Sequence, residues 1–228
     1  GASDTIIVNG TLTLINGDII AQTAGTSASL FARGAISVAV GFDGGFGGTT
    51  NTVTLTIDGT GDQSFAIPAG AKMPATVLNN SLTTVSTSET GTITWDNTLT
   101  LQAGILNAGS VTHRFNDVVT VSGGTFNAAG ATTTLDGSDS ADDSTLTCTG
   151  SFPGTLAIKK IGSNTSDVTI VGGCTVALGN TPTSGLGGGI LLIQGTINAT
   201  SGNWTVNSGN HIYVATSGVI NTTGTWAI

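Results

Sequence analysis

The amino-acid sequence predicts an all-β fold, a parallel β-solenoid whose coils are about 20–26 residues long. Three observations predict this fold: a composition that disfavours helices, a short motif that recurs at coil spacing, and a longer internal duplication. Of 228 residues, only 8% are charged and 35 are glycine. Thr, Val and Ile suit pleated strands, and Gly and Asn suit turns, whereas the straight-chain residues that helices favour are scarce.

The short motif consists of Gly, any residue, a large apolar residue, Asn and a small residue. Its successive copies recur at the spacing of one solenoid coil. One interval is about twice as long and spans two coils, with Gly172-Gly173 near the missing copy. The copies read GILNA at 104–108, GTFNA at 124–128, a degenerate GSFP at 150–153, GTINA at 195–199 and GVINT at 218–222.

A longer duplication overlies the motif. TIDG at 56–59 returns as TLDG at 134–137, and MPATV at 73–77 returns as FPGTL at 152–156. The two matches have nearly the same offset, and the second copy also has an insertion near 181–189. The chain is therefore divided into three parts of one continuous solenoid domain: an irregular N-terminal layer or cap (1–51), a first long repeat (52–133) and a second long repeat (134–228).

The repeats predict which side chains stack. One coil cannot bury its own inward face, whereas stacked coils bury a continuous core. A β-sandwich with Gly-rich turns is the alternative architecture. In the solenoid, the apolar motif residues point inward: Leu106, Phe126, Phe152, Ile197 and Ile220. The motif asparagines lie at a corner, where side-chain amides can form ladders between coils: Asn107, Asn127, Asn198 and Asn221.

The first 51 residues fit the coil pattern less well. Residues 5–20 alternate like a strand pair around Asn16-Gly17, which is a strong hairpin signal. The segment SASLFAR at 27–33 predicts one short helical turn, and 41–51 predict a Gly-rich loop. The last motif copy ends where a third long repeat would begin, and no polar cap follows it. We therefore expect a longer array or a neighbouring subunit at this open end.

Composition also limits the function. The chain has 5 Lys and Arg against 13 Asp and Glu, a net charge of −8. So few basic residues exclude nucleic-acid binding. No apolar run reaches the length of about 18 residues that a membrane span needs. Low Lys content with abundant Thr, Asn and Gly is typical of secreted proteins, so we expect an extracellular or cell-surface location.

One element adds a resemblance. Residues 58–63 read DGxGxQ, and together with the GTxNA-like coils they resemble the β-strand repeats of large secreted bacterial surface proteins. The coils are also similar to the haemagglutinin-type repeats of filamentous adhesins. The resemblance covers about 52–228, although the second copy at 136–140 lacks the second Gly and the Gln. It implies a right-handed parallel β-helix with an adhesive or structural role outside the cell, and it brings no catalytic residues.

The one dense group of charges is a candidate calcium site, because calcium binds several carboxylate and carbonyl oxygens from flexible loops. A solvated acidic loop is the alternative interpretation, since the spacing does not match an EF-hand. No other cofactor is expected. The group consists of Asp136, Asp139, Asp142 and Asp143.

Cys148 and Cys174 are the two cysteines of the chain and lie about one coil apart. Two cysteines in a secreted protein suggest one disulfide. By motif register they differ by about three positions, which places their Cα atoms near or beyond the usual limit of about 7 Å. A disulfide, with a bulge to correct the register, and two buried thiols are both left open.

Aromatic residues near the C-terminal end provide a candidate ligand surface. Trp204 and Trp226 are separated by about one coil, and Tyr213 lies between them. They can form an exposed strip for glycans, or they can be partly buried in the core. His113 and His211 lack metal-ligand spacing and are interpreted as structural. The few basic residues are scattered, so we do not expect the acid–base cluster of a sugar-cleaving enzyme.

Thr-x-Thr pairs occur at 52–56, 92–94, 98–100 and 145–149. By the motif spacing, they do not fall at one phase of the coil. We therefore interpret them as ordinary β-propensity and not as a water-ordering face that binds ice.

Taken together, the sequence predicts a structural or adhesive module of an extracellular β-solenoid, and not an enzyme. Its open coil ends expose strand edges that can pair with another subunit, so it is expected to self-associate, in one version as a surface fibre. The N-terminal strand at 5–15 is a candidate for such pairing. The alternative is a carbohydrate-binding surface or viral tail-spike module that uses the aromatic residues.

Overall fold

The structure is a computed structural model. Its description covers residues 4–15, 27–39, 42, 52–68, 72–87, 92–107, 112–127, 132–135, 144–148, 150–158, 168–170, 174–178, 190–193, 196–199, 204–205, 211–214, 216, 218–222 and 226–227.

These residues form 23 strands and no helix. The first nine strands are β1 (Asp4–Val8), β2 (Leu12–Leu14), β3 (Ser27–Ala32), β4 (Ile36–Val38), β5 (Thr52–Ile57), β6 (Gln63–Ala66), β7 (Thr76–Thr87), β8 (Thr92–Trp95) and β9 (Leu99–Asn107). The next seven are β10 (Thr112–Phe115), β11 (Val119–Val121), β12 (Thr125–Asn127), β13 (Thr132–Leu135), β14 (Ser144–Cys148), β15 (Gly150–Ile158) and β16 (Val168–Ile170). The last seven are β17 (Cys174–Leu178), β18 (Ile190–Ile193), β19 (Thr196–Ala199), β20 (Trp204–Thr205), β21 (His211–Val214), β22 (Val219–Thr222) and β23 (Trp226–Ala227).

The strands stack in parallel, which confirms the predicted β-solenoid. The largest sheet has 14 strands, and its main path runs β1-β3-β5-β7-β9-β11-β14-β16-β18-β21. A second sheet of 7 strands runs from β8 to β22, and β20 pairs with β23 in a third sheet. Each strand on the main path pairs with the strand one coil away in the sequence, as a solenoid requires.

One register position runs through all coils of the large sheet, and we call the residues at this position the core row, because those with described side chains in the middle coils are buried. Its members occupy one register position from coil to coil. The shortest interval between neighbours runs from Leu99 to Val119, and the longest runs from Val119 to Leu146. The row consists of Ile6, Leu30, Leu55, Thr76, Leu99, Val119, Leu146, Ile170, Ile193 and Val214.

The predicted stack of motif residues is found as two separate sets in two sheets, and no described register pair joins Phe126 to Phe152. Leu106 pairs in register with Phe126, and both side chains are buried. In later coils, Phe152 pairs with Val176, Val176 with Ile197, and Ile197 with Ile220. At one copy of the motif, the backbone conformation explains why the first residue is glycine. Gly104 has a φ of 85°, a conformation that other residues rarely adopt.

The predicted asparagine ladder is confirmed by a side-chain hydrogen bond between one pair of coils, and a second pair of asparagines shares a backbone register position. The Asn127 Nδ2 group donates a hydrogen bond of 2.7 Å to Asn107 Oδ1 one coil away. Asn198 and Asn221 are register partners in the second sheet. An amide that donates to the same amide of the next coil can repeat the interaction at each coil, so the motif position favours Asn for a stacking reason.

The described part of the N-terminal region follows the same ladder. The helical turn predicted at 27–33 is wrong: Ser27–Ala32 is strand β3, which lies between β1 and β5. Every second side chain of this strand, at Ala28, Leu30 and Ala32, points inward, as in a strand with one buried face. A single helical turn would not pair this segment with the neighbouring coils.

Residues 4–15 also differ from the expected hairpin. They form two strands of one coil, β1 and β2, and these pair in parallel with β3 and β4. The expected turn at Asn16-Gly17 and the Gly-rich loop at 41–51, except for its residue Phe42, lie outside the described residues. Phe42 is buried in the core.

Candidate functional site

The N-terminal end of the solenoid exposes a strand edge. β1 pairs with β3 on one side, and on its other side no strand among the described residues pairs with it. Ile6, the first member of the core row, is 52% exposed, and Ile7 and Ile15 are 49% and 67% exposed. Large aliphatic side chains at this exposure mark a surface on which another strand can pack.

The opposite end has the same character. β21 pairs with β18 and ends the main path of the large sheet, and β22 ends the second sheet. Val214, the last member of the core row, is 49% exposed, and Val219 in β22 is 44% exposed. The core row is therefore buried in the described middle coils and half exposed at both ends.

Within the described strands at the two ends, the Lys and Pro residues and the register shifts that usually protect edge strands are not found. Monomeric proteins place Lys, Pro or β-bulges on such strands to prevent pairing. β1, β2, β21 and β22 contain no Lys and no Pro, and β1 pairs with β3 through five consecutive positions without a register shift. Asp4 and His211 are the residues of these strands that can carry a charge near neutral pH. These ends form the candidate functional site.

The DGxGxQ element has a structural role that sequence reasoning did not find. The side chain of Gln63 is 4% exposed and uses all its hydrogen-bonding groups. Its Oε1 accepts from the Gly59 backbone N–H at 3.0 Å and from Asn80 Nδ2 at 2.8 Å. Its Nε2 donates to the carbonyl oxygens of Ala32 at 3.0 Å and Gly34 at 2.7 Å. One glutamine therefore connects three successive coils.

The other residues of the element support this turn. A Cβ atom at Gly59 would lie 2.5 Å from Gln63 Oε1 and 2.8 Å from the Arg33 carbonyl oxygen, so only glycine fits there. Asp58 forms an exposed ion pair with Arg33, with Arg33 Nη2 3.2 Å from Asp58 Oδ2. An exposed pair of this kind contributes little to stability.

This network yields a testable prediction. Replacing Gln63 by leucine is expected to lower the free energy of unfolding by about 2 kcal/mol or more, because it removes four hydrogen bonds and leaves the buried Gly59 N–H without its acceptor. The Asn80 amide keeps its bond to the Gly61 carbonyl oxygen, and the Ala32 carbonyl oxygen keeps its bond from the Asp58 N–H. Urea unfolding followed by circular dichroism measures the change. Ser64→Ala, on the exposed face of the same strand, is the matched control. Equal stability of Gln63→Leu and Ser64→Ala would contradict the assignment.

A buried aromatic group fills the described middle coils. Trp95 Nε1 donates a hydrogen bond of 3.0 Å to His113 Nδ1, and both residues are buried. Trp95 also stacks on Phe115 with ring centroids 6.1 Å apart, and Phe126 contacts His113 edge-on at 5.2 Å. His113 is thus part of the core, as its isolated position in the sequence suggested.

A polar row follows the aromatic strands at one corner. Asp96 Oδ1 accepts from Asn116 Nδ2 at 2.6 Å, and Lys72 Nζ lies 2.9 Å from Asp96 Oδ2. Thr98 Oγ1 is 3.2 Å from Asp117 Oδ2. Asn116 Oδ1 is buried and has no hydrogen-bond partner among the described residues. Because these contacts join adjacent coils, the row aligns the corners.

The candidate calcium ligands Asp136, Asp139, Asp142 and Asp143 lie outside the described residues. Within the described part of the chain, no group of three or more His, Cys, Asp or Glu side chains is arranged to hold a metal ion. The calcium site stays a prediction.

Cys148 is buried at the end of β14 and is disulfide-bonded. The backbone of Cys174 pairs with Gly150, two residues from Cys148, so the register offset is two positions and not the three expected from the motif. The structure describes the backbone of Cys174 but not its side chain. The pairing of the two cysteines therefore stays a prediction.

The three candidate ligand aromatics fall in two places. Trp204 and Trp226 are direct register partners in the parallel pair β20 and β23, as their spacing of one coil suggested. Tyr213 lies instead in β21 of the large sheet, opposite Leu192. Backbone register therefore brings the two tryptophans together and places the tyrosine on another sheet.

The Thr-x-Thr pairs share a face more often than the sequence indicated. Thr56 pairs with Val77, and Val77 pairs with Thr100. Thr100 then pairs with Thr120, and Thr120 with Thr147. The pairs near 56, 100 and 147 thus lie in one outward row, and only the pair at 92–94 lies on the other sheet. The expectation that the pairs do not share one phase holds for the pair at 92–94 and is wrong for the other three, because unequal coil lengths hide their register in the sequence.

Comparisons with known proteins leave the family open. No protein-family model matches the chain, and neither a curated protein nor a solved structure matches it significantly. The described residues contain no helix that is long and apolar enough to cross a membrane.

Proposed function

We propose that the protein is an extracellular structural and adhesive module that self-associates through the open ends of its solenoid. The observation that supports this proposal most is the exposure of the core row at both ends, 52% at Ile6 and 49% at Val214. Pairing with another copy would bury these side chains and would satisfy the free strand edges with backbone hydrogen bonds.

The chemistry of the chain supports an extracellular location. Disulfides persist in oxidising compartments, and Cys148 is disulfide-bonded. The chain also combines a net charge of −8 with only 8% charged residues. The described polar contacts of Gln63 and Asp96 join one coil to the next, which suits a structural role.

Self-association is tested by sedimentation velocity and negative-stain electron microscopy of the protein over a wide concentration range. The proposal predicts rods that lengthen with concentration, because head-to-tail contacts that do not close into a ring build filaments. A single monomeric species at every concentration would overturn it.

A carbohydrate-binding surface is the second candidate function, and the register pairing of Trp204 with Trp226 favours it. Two tryptophans on adjacent coils provide a platform for the apolar face of a sugar ring. A glycan array is expected to show binding that Trp204→Ala weakens by about tenfold. Thr205→Ala on the same strand is the control. An array without any bound glycan would exclude this candidate.

A further inference from the structure

We propose that copies join head to tail, so that β1 of one copy pairs in parallel with β21 of the next, with Ile6 in register with Val214. This inference rests on the proposed function and specifies its partner, a second copy of this chain. The core row would then continue across the boundary between copies.

The two ends are suited to this arrangement because they belong to one sheet. β1 and β21 are the first and last strands of the same path, and every pair along it is parallel. Placing β1 on β21 repeats the relation that each strand of the path already has with the next. A head-to-head contact would instead pair β1 with another β1 in antiparallel orientation, which occurs nowhere among the described strand pairs.

The register follows from the alternation of side chains. In β1, Ile6 and Val8 share the inward face with Leu30 and Ala32, their partners in β3. In β21, Val214 follows Ile193 in the core row. Placing Ile6 opposite Val214 keeps aliphatic side chains on the inward face, and a shift by one residue would turn Ile6 outward. Thr5 then lies opposite Tyr213.

The charges at the junction are compatible with this register. Near neutral pH, Asp4 is the one residue of β1 that can carry a charge, and His211 is the one such residue of β21. With Ile6 opposite Val214, Asp4 falls opposite Ile212, one position from His211. This register therefore places Asp4 one position from His211 and sets no acidic residue of β1 opposite an acidic residue of β21.

Single-cysteine variants test both polarity and register. Register partners in neighbouring strands lie about 4.8 Å apart, within the Cα range of a disulfide. Thr5→Cys and Tyr213→Cys are prepared separately, mixed and oxidised mildly, and non-reducing electrophoresis measures the crosslinked dimer. We expect at least about tenfold more dimer in the mixture than in either variant alone. Electron microscopy of the reduced variants checks that each still assembles.

Ile7→Cys mixed with Tyr213→Cys is the matched control, because a shift of two residues along the strand places these Cα atoms about 8 Å apart, too far for a disulfide. Crosslinking of Thr5→Cys alone would indicate a head-to-head contact and overturn the polarity. Wild-type filaments without a crosslink between Thr5→Cys and Tyr213→Cys would overturn the junction alone. Wild-type protein that stays monomeric would overturn the proposed function and the junction together.

Discussion

Replacing Trp95 by alanine is expected to lower the free energy of unfolding by about 3–5 kcal/mol. The side chain is 1% exposed and contacts Phe65, His113 and Phe115. Alanine would leave a large cavity between stacked coils and would also remove the hydrogen bond to His113 Nδ1. Because each coil is stabilised mainly by its neighbours, damage here weakens the array on both sides.

Urea unfolding followed by circular dichroism measures this effect. Trp95→Phe separates the two contributions, since it keeps most of the ring volume and removes the N–H donor, with an expected loss of about 1–3 kcal/mol. Thr94→Ala changes the neighbouring, half-exposed side chain and serves as the control. If Trp95→Ala were as stable as Thr94→Ala, the aromatic group would not be part of the core.

Replacing Ile6 by lysine is expected to weaken self-association by at least about 100-fold, which corresponds to about 2.8 kcal/mol. The variant removes aliphatic area that the junction would bury and brings an ammonium group onto the inward face, where desolvation costs several kcal/mol. The isolated copy should stay folded, because Ile6 is already 52% exposed. Sedimentation equilibrium measures the association, and circular dichroism checks the fold.

Thr5→Lys is the matched control, since it introduces the same charge at the next residue of β1 but on the outward face. It should change association little, because its ammonium group can stay in solvent. Val214→Lys should block the other end. Neither lysine variant of the core row should assemble alone, whereas a mixture of Ile6→Lys and Val214→Lys should form dimers and nothing longer. Full assembly of Ile6→Lys would contradict the account.

Much of the fold follows from local sequence patterns. The recurrence of the motif predicts the length of a coil, and the register pairs of the core row follow that spacing from one coil to the next. The asparagine pairs at 107 and 127 and at 198 and 221 follow from the motif, because an identical residue at one coil position meets itself in the next coil. A repeated sequence therefore predicts its own contacts.

Other features depend on register, which the sequence does not display. Residues 27–33 resemble a helical turn until β1 and β5 are placed on either side of them. The shared row of Thr56, Thr100 and Thr147 is hidden by unequal coil lengths. Gln63 bonds to Ala32 in the preceding coil and to Asn80 in the following one, so its role requires the assembled stack.

Electron cryomicroscopy of the assembled wild-type protein tests the central claim most directly. The main path contains ten strands, and at about 4.8 Å per strand the subunit repeat along the filament should be about 48 Å. The account predicts this repeat, with one parallel sheet that passes without interruption from β21 of one copy to β1 of the next. Copies that contact one another side by side, with both ends of the core row still exposed, would contradict it.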